Sequence, residues 1–583
     1  RPLVNIYYHF RPLLMPESWG NAGKGGIQVN PAEKGQVIMR AYCGPRSMAA
    51  GETLTFIADF YLTPFRPIDT EKQWSVRFDH PHPRRNDPTY LNKVVAEADP
   101  EHDANVLNVH QAHAILPFIN YPYADAYMSQ FIALIKQAHG KGMRVRPYYT
   151  TREITQNMAE LHALHSLNGE IIQPGPGADA RTLIHKQGPH RWLIENLGRD
   201  FIPAWVDHIK LPEAEWDLSV LTTPDSRWNN FYLEGLRWLV EQADIDGIYI
   251  DDTALDARSL CRARRILDRK PGRLIDFHAW CHFNGHAGYD NNLNLYMELL
   301  PYFDRLWIGE GFNCNAVDQD YWLVEMSGLP FGVMSEMLQS VNPWRGLLFG
   351  EVARKSWSGN PSAIWQAWDA YGIQDTEMFG WFAPDSPVKT SHVDVPVTVY
   401  RGANYALLAI ASWADETVEV SLQIDWHKLG IDEQKAALYA PDIADFQFEE
   451  VWRPGDSLPI APGCGHFLVL DETPRKVTKE KGAPTALVET FRDPFSTPVL
   501  EEHWEVFVSD KRGASAQAFG AAFQVTAPAN VHAGIQCALP TGTVAVEVEI
   551  APDSDQGKTW GPGMALVWQN GQTAKLNLRS AEK

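Results

Sequence analysis

The 583-residue sequence is poor in cysteine, with six residues (Cys43, Cys261, Cys281, Cys314, Cys464 and Cys537) spread along the chain and no C-x-x-C pair. That spacing excludes a dense disulfide framework and a paired-thiol zinc site, and leaves the redox compartment open. No run of 18 or more apolar residues occurs, so no segment reads as a membrane span. Basic surplus is missing too: 51 Lys and Arg stand against 72 Asp and Glu, a net charge of −21. Such a chain has nothing to neutralise phosphates with, so nucleic acid and anionic membrane are poor partners. There are no repeats, no G-x-S-x-G elbow and no G-x-G-x-x-G after the first strand, which argues against a serine hydrolase of that type and a dinucleotide site. The sequence starts at Arg1 without a leader and reads as a processed or excised product.

What is abundant is apolar and aromatic surface. Hydrophobic residues make up 45% and aromatics 11%, with 21 Trp, enough for several cores and for stacking surfaces of the kind sugars use. The length predicts about four domains or one large barrel with satellites. Residues 1–92 read as strands and turns, including a partly alternating run over 53–62, and are taken as part of an N-terminal β-sandwich. Residues 93–390 alternate strand and helix. Strands are predicted at Val106–Val109, Met143–Tyr149, somewhere within 200–222, Gly247–Asp251, Leu274–Phe277, Arg305–Ile308, Phe331–Met334 and Glu377–Trp381. Eight such strands over about 300 residues predict an α/β fold, a (β/α)8 TIM-type barrel flanked by β-sandwich domains. Residues 391–472 read as a C-terminal antiparallel β-sandwich and 473–487 as a charged linker. Residues 488–583 read as a lectin-like β-sandwich that stops without a closing strand.

Chemistry concentrates at strand ends. In Tyr249-Ile250-Asp251-Asp252-Thr253 two adjacent carboxylates leave the C-terminal end of a buried apolar strand, which in a barrel faces the active site. Close carboxylates push each other's pKa values apart, so that one can hold a proton near neutrality. One Asp could instead cap the following helix and the other bind an Arg. Glu310 ends the sixth predicted strand, two strands on, and could face the pair across a sugar ring; binding of sugar hydroxyls is its competing role. Around them His110, Tyr148, Arg152, Tyr249, His278, Trp280, Trp307, Glu336 and Trp381, with Asn108, form a candidate crown of stacking faces and hydroxyl partners. His278, Cys281, His282 and His286, and the pair His110 and His113, do not match helical H-E-x-x-H or paired-cysteine spacing. Asp290-x-Asn292-x-Asn294 lacks the glycine of a calcium loop. No metal and no cofactor are therefore expected.

The runs DGIYIDDTALD (246–256), LIDFHAW (274–280), NLYMELLPYFDRLWIGEGF (294–312) and WLVEMSGLPFGVMSEML (322–338) resemble bacterial proteins related to glycoside hydrolase family 123. The resemblance covers roughly residues 1–470. It implies a β-sandwich, a barrel, a small second sandwich, and retaining hydrolysis of 2-acetamido sugars in which the substrate's acetamido oxygen is the nucleophile. Carried onto this chain, Asp251 would orient the acetamido group and Asp252 would act as acid and then base. The family has Asp-Glu where this chain has Asp-Asp. Two other expectations stay open: double displacement with an Asp nucleophile and Glu310 as acid/base, on a non-acetamido and possibly sulfated or acidic polysaccharide, and a non-catalytic glycan-binding protein. The partner expected throughout is an oligo- or polysaccharide, met in the periplasm or outside the cell.

Overall fold

The structure is a computed structural model. It describes residues 21–472 except 56–59, 83–87, 111–114, 117, 124, 178–187, 212–213, 224–225, 252–254, 281–292, 294–295, 311 and 340. Beyond 472 it describes 504–508, 515–519, 522–526, 533–537, 563–567 and 573–577. The chain divides into two units, residues 1–481 and 482–583.

In the first unit β1 (Gly26–Pro31) and β2 (Val37–Tyr42) form an antiparallel hairpin. The described part of 53–62 is not strand, although its alternation predicts one. A barrel follows. Its strands are β3 (Phe78–Asp79), β4 (Val106–Val109) and β5 (Arg144–Pro147), then, after an excursion, β9 (Gly247–Asp251), β10 (Leu274–Trp280), β11 (Arg305–Glu310) and β12 (Met334–Ser335). Each pairs in parallel with the next, and a Tyr148–Tyr249 bridge joins β5 to β9. Parallel bridges from Met337 to Ala353 and from Lys355 to Asp79 close the circle, so segment 353–355 is the eighth strand.

The excursion holds β6 (Glu153–Thr155), β7 (Pro203–Leu211) and β8 (Ala214–Leu221), an antiparallel sheet with its own small core. The strand expected within 200–222 is therefore a hairpin outside the barrel. Glu377–Phe379 likewise pairs antiparallel with Val397–Arg401 and belongs to the C-terminal sheet, not to the barrel. Propensity reports that a segment is strand but not its partner. The true first and last strands are too short to show a period.

The helices lie outside because the strands alternate. Ile248 and Ile250 of β9 face them, against Leu236, Leu239 and Leu260, in the main core. Tyr249 belongs to a separate cluster inside the bore with Phe78, Val106, Tyr148 and Trp307. The helix Arg227–Trp238 that precedes β9 is capped by Ser226, whose hydroxyl accepts from the Trp228 N–H, satisfying one of the open donors of its first turn. After the barrel comes a six-stranded antiparallel sheet from Glu377–Phe379 to Gly465–Asp471, with two short strand pairs over a second core.

In the second unit the described residues form three antiparallel strand pairs, Glu505–Val508 with Ala533–Gln536, Ser515–Phe519 with Ala522–Thr526, and Gly563–Val567 with Thr573–Asn577. The expected linker at 473–487 lies outside the described residues.

Candidate active site

Strand parity aims Asp251 into the bore: Gly247, Tyr249 and Asp251 share one face of β9. Its Oδ2 accepts from Tyr148 Oη at 2.8 Å and from Arg152 at 2.8 Å, and its Oδ1 lies 3.1 Å from His278 Nδ1. Thr150 Oγ1 donates to the Asp251 carbonyl at 2.7 Å and fixes the strand end. Burial opposes ionisation here, but the Arg152 and His278 charges outweigh it and hold the carboxyl well below the usual carboxylate range. Burial likewise pushes the His278 imidazole down, yet Asp251 and Glu310 lift it to about 9. Burial keeps the Tyr148 proton on its oxygen far above neutrality, so this hydroxyl donates.

Glu310 reaches the same imidazole by a different device. Register in the β10–β11 pair slips after Ala279 and Ile308, so that Trp280 faces Glu310 and Gly309 is the extra residue. Gly309 has φ +113°, and a Cβ there would come within 2.3 Å of Met326. A bulge of this kind re-aims the next side chain. Glu310 Oε2 lies 3.5 Å from His278 Nε2, with its side chain 45% exposed. One imidazole between the two carboxyls keeps their nearest oxygens within about 9 Å, the scale on which two carboxyls flank a glycosidic bond.

Other candidates sort by depth. Arg152 is buried, donates to both Tyr148 Oη and Asp251, and lies 2.7 Å from Glu153. His110 is buried, its ring 4.7 Å from that of Tyr148. Tyr249 is a buried floor, 5.9 Å from the His278 ring and 6.4 Å from that of Trp307. Three expected sugar contacts do not belong to the mouth. Trp307 is 1% exposed, and its Nε1 donates to Asp276 at 2.9 Å. Glu336 is level with Trp307, since its N–H donates to the Leu306 carbonyl. Its carboxyl accepts from Arg305 at 2.9 Å and from Gln73 at 3.2 Å. The strand there begins three residues later than the sequence pattern places it. Trp381 follows a strand of the C-terminal sheet, and its N–H donates to Thr398 at 3.2 Å. Asn108 is also in the bore, accepting from Arg146 at 3.1 Å. Asp252 and the Trp280 side chain lie outside the described residues, as do Cys281, His282, His286, His113 and 290–292.

Three residues at the mouth escape the sequence pattern. His80 follows the two-residue β3, and Arg354 and Trp357 lie in and just after the eighth strand. The Trp357 ring stands 5.0, 4.7 and 5.3 Å from those of His80, His82 and His110. Their signal was a Trp and an Arg in a stretch with no readable period. Among the described residues no group of three or more metal ligands occurs.

Comparison with known proteins agrees with this architecture. The model "Glycoside hydrolase 123, TIM-barrel domain" matches residues 69–356. Its C-terminal domain matches 360–471 and its third domain 1–64. Among curated proteins none matches. Solved structures similar to the chain include a maltogenic α-amylase AmyB from Thermotoga neapolitana, 11% identical, with TM-score 0.41, covering 68% of this chain and 99% of that one. An α-amylase from Anoxybacillus is 10% identical, with TM-score 0.43, covering 68% and 98%. With three consecutive domain models spanning the chain from residue 1 to 471, this protein belongs to glycoside hydrolase family 123 and is a glycoside hydrolase.

Proposed function

We propose that the chain is a retaining hydrolase of 2-acetamido sugars that uses the substrate's own acetamido oxygen as nucleophile. The observation that carries this reading is the set of three donors on Asp251. A carboxylate so bound stays ionised and immobile, which disqualifies it as an acid and blunts it as a nucleophile. It retains lone-pair capacity on Oδ1 for the acetamido N–H, and its charge stabilises the cation that forms as the acetamido oxygen closes on C1. In that step the C1–O bond to the leaving group breaks and the leaving oxygen takes a proton, which we assign to Asp252. Water, deprotonated by the same residue, then opens the oxazolinium ring at C1 with net retention. A glycan of this kind places the enzyme's work outside the cytoplasm.

A second reading draws on Glu310, poised across His278 from Asp251. There Asp251 attacks C1 and Glu310 is the acid/base. An aryl 2-acetamido-2-deoxy-hexoside panel with a thiazoline inhibitor separates the two. Strong thiazoline inhibition, and no labelling by an activated 2-fluoro sugar, is expected; a glycosylated Asp251 would replace the first reading with the second. Leaving-group dependence identifies the acid. D252N should lose about 10²- to 10⁴-fold on poor leaving groups and little on dinitrophenyl glycosides, whereas E310Q should show no such split.

A further inference from the structure

Most buried guanidinium groups among the described residues have a carboxylate or carbonyl acceptor. Arg77 pairs with Asp369, Arg146 with Asp276, and Arg152 with Asp251 and Glu153. Arg305 pairs with Glu336. Arg345 has no carboxylate but donates to the carbonyls of Cys314, Asn315 and Ser412. Arg354 differs. It is 2% exposed, and among the described residues no carboxylate lies within 4 Å of it. Its NH1 lies 3.5 Å from His80 Nδ1, the Tyr249 hydroxyl is a neighbour, and Glu310 and Asp251 act on its charge from farther off. Among the described residues its Nε is buried without an acceptor. The Trp357 ring covers the guanidinium at 3.7 Å.

His80 repeats the pattern. It is fully buried, and burial with the Arg354 charge drives its imidazole far below the ordinary range, so it is neutral. With Nδ1 facing the Arg354 donor, the ring proton sits on Nε2, which is also buried without an acceptor. Among the described residues two neighbouring donor atoms at the C-terminal end of the bore, Arg354 Nε and His80 Nε2, thus lack an acceptor, and one belongs to a charged group. A buried cation whose described carboxylate neighbours all stand beyond 4 Å is poorly compensated. An anionic group on a bound substrate would supply that acceptor.

We propose that Arg354 and His80, with Trp357 beside them, form the seat of an anionic substituent of the sugar, a sulfate ester or a carboxylate, at the mouth that holds Asp251 and Glu310. This deepens the glycosidase reading above and rests on it. Asp251 does not repel such a substrate, because Arg152 and His278 neutralise it. A fixed planar donor suits both oxyanions.

The test compares kcat/KM for 6-O-sulfated and unsulfated aryl 2-acetamido-hexosides and for an aryl 2-acetamido-2-deoxy-hexuronide. Wild type should favour an acidic member over the neutral one by about 10²-fold, and which member is favoured identifies sulfate or carboxylate. In R354Q the acidic-to-neutral ratio should collapse at least about tenfold, and R354K should keep part of it. A neutral preference in wild type, or an unchanged ratio in R354Q, overturns the proposal. Should R354Q fail to fold, inorganic sulfate and free glucuronate are tested as inhibitors of wild type at constant ionic strength. One of them should compete with a neutral substrate, and competition by neither overturns the seat. Thiazoline resistance or Asp251 labelling would instead overturn the acetamido mechanism, so the two failures are separable.

Discussion

The bore of the barrel carries two buried ionic networks, and they are built differently. In its N-terminal half, Arg146 pairs with Asp276 at 2.5 Å, Trp307 donates to the same carboxylate, and Asn108 accepts from Arg146. The Phe78 ring lies 4.1 Å from one guanidinium and 4.8 Å from that of Arg305. Each cation there meets a carboxyl of the chain. In the C-terminal half Asp251 is satisfied, but Glu310 is 45% exposed, and among the described residues Arg354 has no carboxylate within 4 Å, only the longer-range charges of Glu310 and Asp251. Burial and residue type are alike in both halves. The difference lies in whether the chain supplies both members of each pair, and that separates a scaffold from a site.

The sharpest way to break this comparison is to neutralise one aspartate in each half. D251N should lower kcat/KM by about 10³-fold or more. It should destabilise the fold less, since Arg152 keeps Glu153 at 2.7 Å and His278 keeps Glu310. D276N should do the reverse: about 3 to 5 kcal/mol of folding stability lost, because Arg146 is left buried without its partner, with the activity of the folded fraction largely kept. Denaturant unfolding and active-site-normalised kinetics on both variants decide it. Equal stability losses with equal activity losses would erase the distinction.

Next in size is the pH response of the mouth. His278 is raised to about 9 in the folded chain, against about 6.5 when unfolded. Its pairing with Asp251 therefore contributes fully below about pH 6.5 and is lost as pH rises through about 9. Wild type should exceed H278Q in stability by at most a few kcal/mol at pH 6, and the gap should close by pH 10. A gap that widens with pH would reverse the assignment of charge to this imidazole.

Parity explains how far the sequence could carry this picture. Asp251 was legible because β9 is an apolar run whose alternate residues enter the bore, and its last residue is an acid. The fourth and sixth positions assigned to β9 and β11 also hold, though through two offsetting errors. The first strand has only two residues and shows no period, and the hairpin at 203–221 reads as a barrel strand in its place. Trp307 and Glu336 were misjudged because a strand's residues can be assigned to the bore without revealing their height in it. Glu310 would face outward by strict alternation, and only the bulge at Gly309 turns it to His278. Arg354 and Trp357 lie in and just after a strand reduced to two bridges, which no periodicity can announce. A buried guanidinium with no carboxylate within 4 Å among the described residues is a property of the packed chain, invisible until the neighbours are in place.

The smallest effect tests whether a buried carboxyl needs its charge at all. Glu351 is 2% exposed, accepts from Trp322 Nε1 at 3.0 Å and from Ser335 Oγ, and among the described residues forms no ion pair. Burial pushes its carboxyl up to about 7. The folded chain then binds a proton that the unfolded chain has released between about pH 4.5 and 7, so this group's contribution falls as pH rises through that window. An amide does not titrate. In E351Q the side-chain oxygen can accept from Trp322 while its NH₂ donates to Ser335 Oγ, which keeps both contacts. E351Q should therefore cost about 1 kcal/mol or less at pH 5 and gain on wild type as pH rises to 8. D276N should show no such recovery, because its loss comes from an unpaired Arg146 that stays charged over the same range. If E351Q instead fell further behind wild type between pH 5 and 8, Glu351 would be ionised in the fold, and the layer between the strands and helices would hold an unpaired charge of its own.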